Sequence, residues 1–248
     1  MRSSAVPRSP RRRKAETSQS WMAELGPLQA ELRHGARVTP SQLVELAGQW
    51  QSRIPNSAQE TETLVLVDDT GCAYEPELCA PRWLCHLLAL RHVAVHVLLL
   101  WESPRLGPVF ICQMRSWTKK DFPGHVDISV GGHAIGATAP AESALIEMQE
   151  ELGLGPDDLQ TPGLQRIGGY ECFISVDDKQ FYDVEWREVY LGRVNNIDRL
   201  RFIDGEVAGV YLCPLQHARG LLKQNSMSVA NGLRMSLPLC LDVLEKRE

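Results

Sequence analysis

Residues 131–154 read GGHAIGATAPAESALIEMQEELGL. Two glycines and a histidine open the stretch, a loop follows, and residues 141–152 then carry helical periodicity. At 100° per residue, Ala141, Ala144, Leu145, Met148 and Leu152 fall on one side, in the i, i+3, i+4, i+7 spacing of a buried face. Glu147, Glu150 and Glu151 gather on another side, within one turn of each other. Like charges at i,i+3 and i,i+4 repel by about 0.2–0.5 kcal/mol per pair. No Lys or Arg falls between Lys120 and Gln165, so the helix carries no basic partner for them. A hard divalent cation neutralises such a cluster, since Mg²⁺ takes one or two carboxylates together with water and phosphate oxygens. A solvated acidic helix face is the alternative.

The spacing extends beyond the helix. From Gly132, five residues lead to Thr138, seven more lead to Ile146, and Glu147-Met148-Gln149-Glu150-Glu151-Leu152-Gly153-Leu154 follow. This resembles the Nudix box, G-x5-E-x7-R-E-U-x-E-E-x-G-U with U aliphatic. Gly132, Glu147, Met148, Glu150, Glu151, Gly153 and Leu154 agree with it. Thr138 stands where the family has Glu, and Ile146 where it has Arg. The resemblance implies a Nudix-type α/β/α sandwich with a mixed sheet. It also implies a loop–helix–loop that binds Mg²⁺ or Mn²⁺ and hydrolyses a diphosphate joined to another group. By the same resemblance Glu147 is a base or metal ligand, and Glu150 and Glu151 hold metal. The family's Arg usually orients the first of these glutamates, so Ile146 bears on catalysis more than on metal binding.

A second resemblance covers roughly residues 61–215. His92-Val93-Ala94-Val95, a hairpin, Lys119-Lys120-Asp121-Phe122-Pro123-Gly124 and Asp127-Ile128-Ser129-Val130-Gly131-Gly132-His133 are similar to the isopentenyl-diphosphate-isomerase-like branch of the Nudix family. The isomerases carry their catalytic Cys in a C-G-H sequence. Here the three residues are Gly131, Gly132 and His133, so that nucleophile and proton donor is missing. The isomerases' second His matches His92 and a Glu matches Glu188. With His133 these imply a further metal or substrate contact. Glu185 and Glu188 point to opposite faces of their strand by its period of two. A lone histidine on an apolar strand is usually a core residue, and His92 and His96 are read that way. Arg115, Lys119 and Lys120 precede the box and are candidates to face phosphates, with plain surface charge as the alternative for the lysines.

The 248 residues are 44% hydrophobic, enough for one sizeable core. Net charge is −5, and residues 1–18 hold six basic side chains against Glu16, so the remainder sums to −10. An acidic body argues against a nucleic-acid-binding surface, and a diphosphate ligand there needs metal or local Lys and Arg. The seven cysteines have irregular spacings with no C-x2-C pair. That disfavours a structural zinc site and fits a reducing compartment. No apolar run reaches the ~20 residues of a membrane span, and a cytoplasmic location is expected.

In chain order, residues 1–18 read as a disordered basic tail. Residues 19–60 read as a helical extension and linker, with helices at 19–34 and, behind the Thr39-Pro40 start signal, at 41–50. The pair packs on the main domain or serves as a homodimer element. Residues 61–248 form the Nudix-like domain. Its strands are expected at 63–67, 92–100, 109–115, 164–176, 181–194 and 206–213, with helices at 214–224 and 236–246, a mixed α/β sandwich. The leading function is metal-dependent hydrolysis of a nucleoside-diphosphate-type or other organic diphosphate. A binding module that has lost turnover and an isomerase are the alternatives.

Overall fold

The computed structural model describes residues 25–32, 38–51, 62–74, 77–119, 121–136, 138–176, 181–223 and 228–246. After a helical segment at 25–32 come α1 (Pro40–Gln51), β1 (Thr63–Val65), β2 (Cys79–Pro81), α2 (Arg82–Leu88), β3 (His92–Ser103), β4 (Gly107–Arg115), β5 (Val126–Asp127) and β6 (Val130–His133). The chain continues through α3 (Pro140–Leu152), β7 (Gln165–Val176), β8 (Phe181–Val194), β9 (Val207–Pro214), α4 (Ala218–Leu221) and α5 (Asn231–Glu245).

β3 is the axis. Its first nine residues are all buried, a Val/Leu-rich run, with His92 and His96 in it, of a strand covered on both faces. β8 lies parallel to it, from His92↔Glu185 to Trp101↔Val194. β6 and β4 divide its other edge, both antiparallel, with Val97↔Val130 and Leu99↔Ile111 in register. β5 and β9 pair with β4, and β7 pairs with β8, completing a mixed seven-stranded sheet. Leu98, Leu100, Val189 and Leu191 face Leu233, Leu237, Cys240 and Leu241 of α5. On the opposite face Val95, Val97, Leu99 and Tyr190 meet Ala144, Met148 and Leu152 of α3. Two helices on two faces of a mixed sheet make the expected sandwich.

α3 starts with Pro140 in its first turn and stops at Gly153 in a left-handed conformation, φ 69°, the usual proline entry and glycine exit. Ala144, Met148 and Leu152 are buried as the periodicity predicts, but Ala141 is exposed and Ser143 is buried in its place. The largely apolar residues ahead of β3, Trp83 to Leu88, lie buried in helix α2. α5 begins at Asn231, five residues before the expected start, and runs through Pro238. Its start is set from a distance. Asp127 Oδ1 on β5 accepts the N–H of Leu233 at 3.0 Å and of Ile128 at 2.9 Å, a cap that no local pattern contains. The expected 214–224 helix is reduced to a 3₁₀ turn and α4.

Leu25, Leu32, Leu43 and Trp50 of the extension share a core with Leu64, Leu66, Leu84 and Leu88, so its helical residues cover α2 and β1. The expected tail at 1–18, residues 19–24 and 33–34 of the first expected helix, and residues 52–60 of the extension and linker lie outside the described residues. All seven cysteines are free. No described helix is long and apolar enough to cross a membrane.

Candidate metal and substrate site

The site is built around β6, where Gly131, Gly132 and His133 alternate between the sheet faces. Gly132 looks toward α3. A Cβ placed on it would lie 2.0 Å from the Cδ and Oε1 atoms of Glu147, so only a glycine leaves room for that carboxylate. Burial, and then Glu150, Glu62 and Glu206, push the Glu147 carboxyl up to about 7. Glu151 turns inward and is 2% exposed. Its Oε2 accepts the Gly131 N–H at 3.1 Å and the Gln113 amide at 3.2 Å. Burial and Glu147 hold its carboxyl well above the usual range. Glu150 is exposed at the rim of the cavity. The three box glutamates therefore stand at three depths along one helix.

Two further carboxylates join them. Oxygens of Glu151, Asp204 and Glu206 all lie within 4.8 Å of one another. Asp204 and Glu206, from the loop before β9, were not singled out by the sequence reading. The available signal was an Asp-Gly-Glu turn directly ahead of a strand. Thr138 donates its N–H to Ile135 O at 3.3 Å, and Ile146 is 43% exposed on the outer side of α3.

Glu147, Glu150, Asp204 and Glu206 line a cavity of about 610 Å³, with Glu151 buried behind them. Among the described residues, nine carboxylates and four basic side chains line it. Every one of the four is already ion-paired: Arg82 with Glu62 at 2.9 Å, Arg115 with Asp127 at 3.2 Å, Lys119 with Glu206, and Arg187 with Glu185. Arg115 and Lys119 are thus at the cavity as the sequence suggested. Lys120 lies outside the described residues. Such a surplus of carboxylates, three of them (Asp127, Glu147 and Asp183) carrying raised pKa values, fits a divalent cation with hard oxygen ligands.

His133 points to the other face. Its Nε2 is 3.4 Å from Glu185 Oε1, and its Nδ1 is 3.8 Å from Glu62. It joins His86, His92 and Asp183 in a group whose ligand atoms all lie within 4.8 Å. His92 is fully buried. Its Nδ1 donates to Leu90 O at 2.9 Å, which leaves Nε2 as an acceptor 3.5 Å from Asp183 Oδ1. Burial and the neighbouring histidines lower His86 to about 2, and burial with His133 lowers His92 to about 4. Neutral imidazoles beside a carboxylate are a donor set that suits a divalent transition metal. The reading of His92 as a lone core histidine is corrected here: it is buried, but in company. Glu188 is a second correction. Its carboxylate takes hydrogen bonds from Arg166 and from Trp186 Nε1 at 2.8 Å, on the α3 face and away from the cavity. Strand parity puts Glu185 and Asp183 on the histidine face instead.

Comparison with known proteins agrees with this geometry. The NUDIX domain profile matches residues 90–231, more than half of the chain. Nudix hydrolase 3 of Arabidopsis thaliana is 28% identical over 147 residues, which cover 58% of this chain and 18% of that protein. The chain thus spans under a fifth of the length of this relative. The crystal structure of DR0079 from Deinococcus radiodurans superposes with a TM-score of 0.51 at 19% identity, over 75% of this chain and 98% of the other, a likeness of fold. With the box spacing, the mixed sheet between two helices and the profile match all in place, the chain belongs to the Nudix family.

Proposed function

We propose that the protein hydrolyses a diphosphate linkage in an organic diphosphate, of the nucleoside-diphosphate type or another, with Mg²⁺ or Mn²⁺ held by Glu147, Glu150 and Glu151 beside Asp204 and Glu206. The observation that carries this reading is the charge balance of the cavity. Nine carboxylates stand against four cations that are each already paired. A polyanionic diphosphate is repelled from such a cavity unless divalent cations enter with it. A bound divalent ion offsets negative charge on the phosphoryl oxygens and helps activate water.

The chain's own residues supply the rest. Glu147, fixed against Gly132, is the carboxylate placed to accept the proton of the attacking water. Arg115 and Lys119 lie on the cavity wall to meet phosphate oxygens. The products are two phosphate-terminated fragments. The test is phosphate or nucleotide release over a panel of nucleoside, sugar and prenyl diphosphates, with and without Mg²⁺ or Mn²⁺. Metal-dependent turnover that disappears in Glu150→Gln is the expected result. The exposed Ile146, which leaves Glu147 without an arginine beside it, favours a second reading: a module that binds diphosphate and metal without turnover. Binding to the panel with no release in any case establishes that reading instead.

A further inference from the structure

The cavity has a second wall that the hydrolysis scheme does not use. His96 lies on β3, on the face opposite the box helix, and is 7% exposed. Its Nδ1 is 2.9 Å from Ser236 Oγ, which is 3.0 Å from Tyr170 Oη. The other edge of the ring is left bare by two glycines. A Cβ on Gly131 would sit 3.7 Å from Cδ2, and a Cβ on Gly232 would sit 3.2 Å from Cε1. Nε2 is bonded to both of those carbons, so it lies in the gap between the two glycines. His96, Gly131 and Gly232 all line the cavity.

We propose that His96 is a substrate-contacting residue that selects diphosphates whose organic half carries a hydroxyl group, with Nε2 hydrogen-bonded to that hydroxyl. The charge nearest His96 in effect, that of Arg187, is already balanced by Glu185. An extra anion or cation gains nothing there, whereas an uncharged oxygen does. Burial, and then the positive charge of Arg187, keep the imidazole neutral. With Nδ1 engaged by Ser236, Nε2 is the ring nitrogen left for a ligand. A hydroxyl can donate to it or accept from it, so it satisfies either tautomer. Ser236 and Tyr170, which do not reach the gap themselves, are positioning residues that fix the ring's rotation.

This rests on the proposed diphosphate substrate, and the experiment separates the two. In a Glu150→Gln background with Mg²⁺, calorimetry gives the dissociation constants of two probes, ADP-ribose, whose organic half is a polyol, and hexyl diphosphate, which has no hydroxyl. The ratio of the two constants is compared for the otherwise native chain, His96→Leu, His96→Gln and Gly131→Ala. The last keeps His96 in place and narrows the gap, its Cβ meeting only the tip of Ile128 at 2.8 Å. Loss of one hydrogen bond predicts that the preference for ADP-ribose falls about tenfold in His96→Leu and in Gly131→Ala, with His96→Gln recovering part of it. The His96 Nε2 ¹⁵N resonance is expected to move when ADP-ribose saturates the chain. An unchanged ratio in both variants, or a resonance that does not move, overturns the proposal. Absence of phosphate release by the native chain would remove the hydrolysis reading alone, because neither readout depends on turnover.

Discussion

Gly132→Ala is the sharpest perturbation of the box. The new Cβ would stand 2.0 Å from the Glu147 carboxylate, where ordinary contact begins at 3.4 Å. One of the two must retreat by about 1.4 Å, the difference between those distances. The strand backbone is fixed by four register pairs with β3, from Ala94↔His133 to Val97↔Val130, so the carboxylate is the part that moves. A displacement of about 1 Å in a reacting group costs on the order of 100-fold in rate. Gly132 is not in the left-handed region, so alanine adds no backbone strain of its own. The expected outcome is a kcat for metal-dependent phosphate release lowered about 100-fold, with a cooperative thermal transition still present. Gly209→Ala on β9 is the control, since nothing lies within 4 Å of its added Cβ. A folded Gly132→Ala chain that keeps kcat within about twofold would show that the seat of Glu147 against β6 has no part in the chemistry.

Three other outcomes follow from the packing and charge. Glu147 titrates near 7 folded against 4.5 for a free glutamate, so the folded state takes up the proton first. Its contribution to stability is full below about 4.5 and is lost as pH rises through 7. In chelator, Glu147→Gln should therefore be more stable than the native chain by about 3 kcal/mol at pH 8 and nearly equal to it at pH 4.5, read from denaturant melts at both values; an equal gain at the two would contradict the assignment. Glu188→Gln should leave kcat/KM within about twofold and lower stability by about 1 kcal/mol, the order of a partly exposed ion pair, because its partners are Arg166 and Trp186; a large loss of turnover in kinetics would restore it to the site. Trp50→Ala should cost about 3 kcal/mol in urea unfolding, since Trp50 is 2% exposed within the core it shares with Leu84 and Leu88; a neutral result would detach the extension from the domain.

Local information was enough for the box helix. Its apolar spacing, its proline entry, its glycine exit and three carboxylates within five residues all belong to one short stretch, so periodicity alone predicts a buried face and an acidic one. The same holds for β3, whose Val/Leu-rich run, broken only by His96, predicts a buried strand. What depends on pairing between distant segments was not legible. Glu62, Asp204 and Glu206 reach the box carboxylates only because β1 and β9 begin where they do. The start of α5 depends on Asp127, about a hundred residues earlier. The choice of Glu188 over Glu185 shows the limit most clearly. The period of two separates them onto opposite faces, but which face holds the histidines is decided by how β8 aligns with β3.

That alignment gives the double glycine its meaning. β6 stands between the face covered by the box helix and the face that carries His92, His96, Glu185 and Arg187. Side chains at 131 and 132 would enter opposite faces, toward Ile128 and His96 in one case and toward Glu147 in the other. With glycine at both, the partition is bare backbone, and one cavity touches both walls. A helix of carboxylates alone recognises little beyond metal and phosphate, which every diphosphate shares. Discrimination among diphosphates needs contacts that the box cannot supply, and the second wall is the surface that can supply them without moving Glu147. Changes at His96 are therefore expected to alter which diphosphate is accepted, whereas changes at Gly132 or Glu147 alter whether any is cleaved. The two kinds of variant separate in kinetics, the first through the ratio of kcat/KM between substrates and the second through kcat for all of them.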